Sequence, residues 1–212
     1  MSPERQWWLR TLAVFQSPRA VFAALRDDSD EQAAARQEPV LALVLLAGVA
    51  GVLSTGPIQR LLDDPAVDDL LVVAILVFIA GGLYGIASYW LGGAFLHTGL
   101  RGAGGRGTFR RARHLLAFAA APLALSFFVV WPLRLAIYGS DTFRTGGSDE
   151  GAGPLVFEAV AGAFVLWSAA LLVLGVRVVH GWTWARALVA VALTVLAVTA
   201  VTALILLPLT AS

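Results

Sequence analysis

The 212 residues contain no cysteine and no lysine. The first absence excludes disulfides and thiolate metal sites, and it leaves the redox compartment unreadable. The second makes all fifteen basic residues arginine. Together with the abundance of Ala, Gly, Val and Leu, this reads as the codon usage of a GC-rich bacterial genome rather than as a functional signal. Charge is scarce as well: 14% of residues are charged and 58% hydrophobic, for a formal net charge of +1. A soluble domain has roughly a quarter charged residues, so the chain falls in the membrane class before any motif is read. A short basic leader is also missing. The first long apolar run starts near Val40, after a segment with six acidic and five basic side chains. No cleavable signal peptide is expected, and the first span should direct insertion.

Long apolar runs are what the chain has in plenty. A hydrocarbon core of about 30 Å needs roughly 17–25 apolar residues in helix. Five segments qualify: Val40 to Pro57, Leu70 to Leu96, Leu115 to Tyr138, Leu155 to Val179, and Ala185 to Leu209. None has a charge near its middle. The fold expected is therefore all-α: residues 1–38 form a cytoplasmic N-terminal segment with an amphipathic helix, and residues 39–212 form a polytopic bundle of five transmembrane helices. Arginine placement orients it. Twelve of the fifteen arginines fall in the N-terminal segment, the second loop and the fourth connection; Arg60, Arg134 and Arg144 fall on the other side. The positive-inside rule then puts the N-terminus in the cytoplasm and the C-terminus outside the cell membrane.

The stretch HTGLRGAGGRGTFRRARH, His97 to His114, joins the second and third spans. Alone it could be a phosphate cradle, a nucleic-acid arm or part of a metal site. A dinucleotide fingerprint needs a soluble strand before it and an amphipathic helix after it, whereas here a membrane helix stands on each side. One five-arginine loop is too small a footprint for nucleic acid, and no nucleic-acid partner is expected. Arg101, Arg106, Arg110, Arg111 and Arg113 read first as topology signals, and then as contacts for headgroups or partner proteins.

In PERQWWLRTLAVFQSPRAVFAALRDD, Trp8, Leu12 and Phe15 recur at i, i+4 and i+7, on one helical face. Ser17 followed by Pro18 reads as an N-cap and first helical residue, opening a short helix that presents Val21, Phe22 and Leu25. Trp7, Trp8, Phe15 and Phe22 are candidate lipid or partner contacts on a helix lying in the headgroup plane. The plainer reading, a helix packed under the bundle, is compatible with that. DDSDEQAAARQEP reads as a solvated linker, with Pro39 opening the first span.

Three stretches carry a resemblance. They are F-x-S-P-R-x-V-F-x-x-L at Phe15 to Leu25, GGAFLHTGLRGAGGRGTFRRARHLLAFAAAPL at Gly92 to Leu123, and W-x-x-x-L-x-x-L-G-V-R-V-V-H-G at Trp167 to Gly181, followed by WARAL. In this order and spacing the chain resembles the bacterial branch of the Yip family, the Ypt/Rab-interacting five-span membrane proteins, from about Phe15 to Leu209. The resemblance implies five spans and a cytoplasmic N-terminus. Eukaryotic members engage small GTPases and one another through a longer polar region with a D-L-Y-G-P type motif. This sequence has neither, so the resemblance does not extend to GTPase binding.

Other constellations have a structural and a functional reading. His97, His114 and His180 fall at cytoplasmic span ends and could meet in a metal site; the plainer reading is histidines bonding backbone carbonyls at helix ends. No metal or other cofactor is expected. Arg134 and Glu158, at the outer ends of adjacent spans, suit a mutual ion pair or separate snorkelling. Gly81, Gly85 and Gly92, with Ser88, make a small face for helix packing, or a substrate groove. Pro122 and Pro132 should bend the third span. The leading expectation is a non-enzymatic membrane protein that organises partners or local bilayer shape through its cytoplasmic face, contacting membrane lipids and other membrane or cytoplasmic proteins. A small-molecule or ion permease, or a transporter subunit, is the alternative.

Overall fold

The computed structural model describes residues 3–67, 69–148 and 150–210. Every regular element among them is helical: α1 (Pro3–Ala13), α2 (Pro18–Ala24), α3 (Asp30–Ala35), α4 (Gln37–Leu53), α5 (Gly56–Gln59), α6 (Leu70–Gly102), α7 (Phe109–Ala119), α8 (Ala121–Tyr138), α9 (Gly153–His180) and α10 (Trp184–Thr210), with 3-10 turns at Leu61–Asp63 and Gly139–Phe143.

Among the described residues, four stretches are long and apolar enough to cross a membrane: Leu70–Gly102, Phe109–Phe143, Gly153–His180 and Trp184–Leu204. The first apolar segment is placed differently from its sequence reading: α4 starts before Val40 and ends at Leu53 rather than Pro57. At 17 residues it is about 25 Å long, at the short end of what a core of about 30 Å needs. It stops at Leu53 because Ser54 and Thr55 turn their hydroxyls onto the Ala50 and Val52 carbonyls, at 2.9 and 2.6 Å. Gly56 and Pro57 then start a separate turn of helix. The second and third expected spans, by contrast, extend into the loop between them. Only Ala103 to Thr108 of the arginine-rich stretch is non-helical. Pro122 sits at the start of α8, where its missing N–H costs nothing, so the third segment breaks at Ala120 and does not bend around Pro122. Pro132 lies inside α8.

The chain forms two compact units: Met1–Gln37, Tyr89–Ala119 and Ala170–Ser212 make the first; Glu38–Ser88 and Ala120–Ala169 make the second. In the first, Trp7, Phe22, Leu25, Leu96, Leu115, Phe118 and Val176 are buried. The Phe22 ring lies on Gly175 of α9, where a Cβ would come within 2.9 Å of it. Gly99 of α6 similarly meets Ala190 and Thr194 of α10.

In the second unit the core is Val49, Leu53, Leu62, Val73, Val77, Val130, Trp131, Phe143 and Phe157. Its seam is backbone against backbone. A Cβ on Gly48 would run into the Gly81 carbonyl and lie 2.6 Å from Gly85 Cα, and one on Gly81 would lie 2.6 Å from Val49 Cα. Three glycines on two helices thus permit an approach that no larger residue allows, and in lipid such packing replaces the hydrophobic drive.

Candidate functional site

The N-terminal helix has two apolar faces, offset by about one residue. Trp7, Thr11 and Val14 point inward, at 1, 5 and 0% exposure. Trp7 packs on Phe118 with ring centroids 5.9 Å apart, has the Arg10 and Arg36 guanidiniums 5.0 and 5.3 Å from its ring centroid, and donates to Gln32 Oε1 at 3.4 Å. Trp8, Leu9 and Leu12 are exposed at 42, 53 and 66%. Phe15 is half-buried. Trp7 and Phe22, read as lipid or partner contacts, are instead core residues. The correction follows from periodicity: i, i+4, i+7 fits Trp7-Thr11-Val14 as well as Trp8-Leu12-Phe15, and only packing chooses between them.

The stretch read as a solvated linker is ordered and charged inside. Ser29 caps α3 by accepting from the Gln32 N–H at 3.5 Å, with Asp30 and Glu31 in the first turn. Arg36 ends that helix at 1% exposure, donating to the Asp27 carbonyl at 2.9 Å and lying 3.6 Å from the Asp28 carboxylate. Burial draws the Arg36 guanidinium below its ordinary value, while the Asp28 charge supports it. Asp27 is held below the usual carboxylate range, first by the Ser29 N–H.

Asp28 is the hub. Its carboxylate also takes Arg110 Nε at 3.1 Å and the Thr108 hydroxyl. Arg110 reaches Asp30 at 2.7 Å and the Asp28 carbonyl too. Arg111 donates to the Arg26 carbonyl at 2.9 Å, and Arg26 in turn donates to the Val178 carbonyl. The N-terminal segment is thus latched to the arginine-rich stretch and to α9. Asp28 and Arg36 were missed from sequence; the available signal was the S-x-x-Q cap at Ser29, which marks a helix where a linker was read.

The five arginines of that stretch divide. Arg110 and Arg111 serve the latch. Arg113 lies in an aromatic cage, 3.7 Å from the Trp90 ring centroid, 4.7 Å from Phe109 and 5.0 Å from Tyr89. Arg101 and Arg106 are exposed. The histidines occupy separate settings. His97 stands edge-on to Phe109, His114 is buried, and His180 holds the Val176 carbonyl through Nδ1 at 3.1 Å with its ring against Trp182. Among the described residues, no three His, Asp or Glu side chains group as metal ligands.

In the second unit, Arg134 is buried, its Nη2 donating to Ser148 Oγ at 2.8 Å beneath the faces of Trp131 and Phe157. Arg134 and Glu158 line one cavity of about 180 Å³, together with Ser54, Gln59 and Trp131. Gly92 belongs to the first unit, where its Cβ position would meet the Leu116 side chain at 2.9 Å.

Residues 12–207 match the family model of the Yip1 domain. The chain belongs to the Yip1 domain family. No curated protein and no solved structure matches it. The latch, the arginine-rich stretch and the glycine seam all lie within the Yip1 domain, whereas Trp7 and Trp8 precede it. Membership in that family together with four apolar helices of membrane length makes this an integral, multi-pass membrane protein.

Proposed function

We propose that this Yip1-domain protein crosses the cell membrane five times, α4 supplying the fifth and shortest crossing, with the N-terminal segment and the arginine-rich stretch on the cytoplasmic side and the C-terminus outside. The charge distribution supports this orientation. The first unit contains twelve arginines and five carboxylates, the second three arginines and nine carboxylates. The segments assigned to the cytoplasm by arginine placement all belong to one compact unit.

On that side the protein acts without catalysis, organising lipids and membrane or cytoplasmic proteins. The carrying observation is α1: an inward face anchored by Trp7 leaves Trp8, Leu9 and Leu12 as an outward apolar face beside Arg5 and Arg10. An apolar face flanked by cations suits a helix lying in the headgroup plane. The test uses two variants of the full chain. A nitroxide on Leu12→Cys, in reconstituted vesicles, should read a headgroup-depth environment. Replacing Trp8, Leu9 and Leu12 with serine spares the inward face, and should alter vesicle shape or the set of co-purifying proteins. A water-exposed nitroxide, together with unchanged vesicles and partners, contradicts the proposal.

A further inference from the structure

The first unit has an open groove of about 560 Å³ where the turn between α1 and α2 meets α9 and the start of α10. Pro18 and Arg19 line it from α2, Leu174 from α9 and Trp184 from α10, and no carboxylate is among its lining residues. Two contacts fix its place along α9. The Phe22 ring lies on Gly175, and Arg26 donates to the Val178 carbonyl at 3.0 Å. The segment from Pro18 to Arg26 therefore runs beside the last turns of α9, with Arg26 toward the helix end and Arg19 away from it. Leu174, which shares the groove with Arg19, stands six residues before that end at His180, about 9 Å along the axis.

Since α9 is long and apolar enough to cross a membrane, this depth is where headgroups give way to hydrocarbon. A cation there is costly unless it meets water or an anion. Arg26 and Arg36, its neighbours in sequence, are bonded to carbonyls. The Arg19 side chain is exposed, and among the described residues it makes no hydrogen bond or ion pair. Behind the groove a second cation adds to the field, the Arg177 guanidinium lying 4.7 Å from the Trp184 ring centroid. Four of the unit's five carboxylates, Asp27, Asp28, Asp30 and Glu31, come after Arg26, in the latch stretch.

The rest of the lining is largely apolar. Leu174 is half-buried and Trp184 is 49% exposed, an indole at the depth where such rings gather in membranes. Free phosphate would leave this surface unmatched, and a neutral apolar chain would leave Arg19 unanswered. A phospholipid meets both, with phosphate oxygens for the guanidinium fork and hydrocarbon below them.

We propose that this groove seats one anionic phospholipid, its phosphate on Arg19 and the top of an acyl chain along Leu174 and Trp184. This rests on α9 and α10 standing in the membrane but not on the outward face of α1, so the two readings can fail separately.

The experiment is native mass spectrometry of the full chain in neutral detergent, titrated with phosphatidylglycerol and, separately, with phosphatidylcholine, whose choline cation cancels the phosphate charge. Phosphatidylglycerol should bind about fivefold more tightly, as expected for one arginine beside an anionic headgroup. Arg19→Gln should reduce that preference to less than about twofold, at the parent's unfolding temperature. Leu174→Trp, which fills the apolar floor, should weaken phosphatidylglycerol binding about threefold or more; where it fails to fold, Arg19→Gln decides. Arg144→Gln removes an exposed arginine from the second unit and should leave the preference unchanged. Equal binding of the two lipids overturns the proposal. So does a preference that survives Arg19→Gln, or one that falls as far in Arg144→Gln, the mark of diffuse charge.

Discussion

The two units of this chain hold themselves together by different chemistry. In the first, twelve arginines face only five carboxylates, and each arginine described in detail is used as a strap: Arg110 on Asp28, Arg111 and Arg26 on backbone carbonyls, Arg113 on three aromatic rings. In the second, carboxylates outnumber arginines and the central contact is Gly48 against Gly81 and Gly85. The difference teaches where the chain can tolerate change. Backbone-to-backbone packing has no slack, because a Cβ has nowhere to move. A strap of long side chains can lose one member and keep the rest, unless the loss leaves a buried charge alone.

Substitutions can break this contrast, and the largest effect belongs to the seam. Gly48→Val places a branched side chain against the Gly81 carbonyl, and it should destabilise the fold by about 3 kcal/mol or more. Unfolding in mixed micelles with increasing SDS would show it; a loss below about 1 kcal/mol would mean the helices separate at little cost. Asp28→Ala comes next. It strands Arg36, buried at 1% exposure, at a cost of about 3 kcal/mol. The same unfolding assay, with proteolysis of residues 1–37, should show the N-terminal segment released first.

The cage should matter less. Arg113→Gln removes a cation from three rings and should cost about 1 kcal/mol, with Trp90 fluorescence shifting as its environment becomes less polar. Smallest is Asp63, in the second unit, whose carboxylate accepts from the Thr145 N–H and hydroxyl. Thr145 holds that carboxyl below its usual range. A lowered folded value stabilises above the unfolded value near 3.9, and the contribution fades as pH falls through the folded one. Hydrogen exchange at the Thr145 amide should therefore speed up on acidification in the parent and be fast and pH-insensitive, apart from intrinsic exchange, in Asp63→Asn.

Apolar helices were legible in the sequence, because spans need only composition and length. Their ends were less so. The first run reads through to Pro57, yet two hydroxyls that cap carbonyls end α4 at Leu53. The G-x-x-x-G of α6 was visible, but nothing in the linear pattern says that Gly48 is what meets it. Charge was the most misleading signal. Asp28 and Arg36 sit in a polar run that looks solvated, and their burial depends on Arg110, some eighty residues away in sequence. Trp7 and Trp8 are adjacent, equally apolar and opposite in fate, since helical periodicity fits both faces and the choice belongs to tertiary packing. Of the arginines read as surface contacts, Arg101 and Arg106 are exposed, while the others of that stretch are held by partners that sequence order does not bring near.

The central proposal is that the arginine-rich segments, residues 1–36 and 101–113, face the cytoplasm and that the loop carrying Glu150 faces outward. Because the chain has no cysteine, single thiols can test it directly. Arg106→Cys and Glu150→Cys would each be treated in intact cells with a membrane-impermeant maleimide, before and after lysis. Removing Arg106 weakens the positive-inside bias, so that variant works against the expected result. The account predicts labelling of Glu150→Cys in intact cells and of Arg106→Cys only after lysis. Labelling of Arg106→Cys in intact cells, with Glu150→Cys protected until lysis, would contradict it.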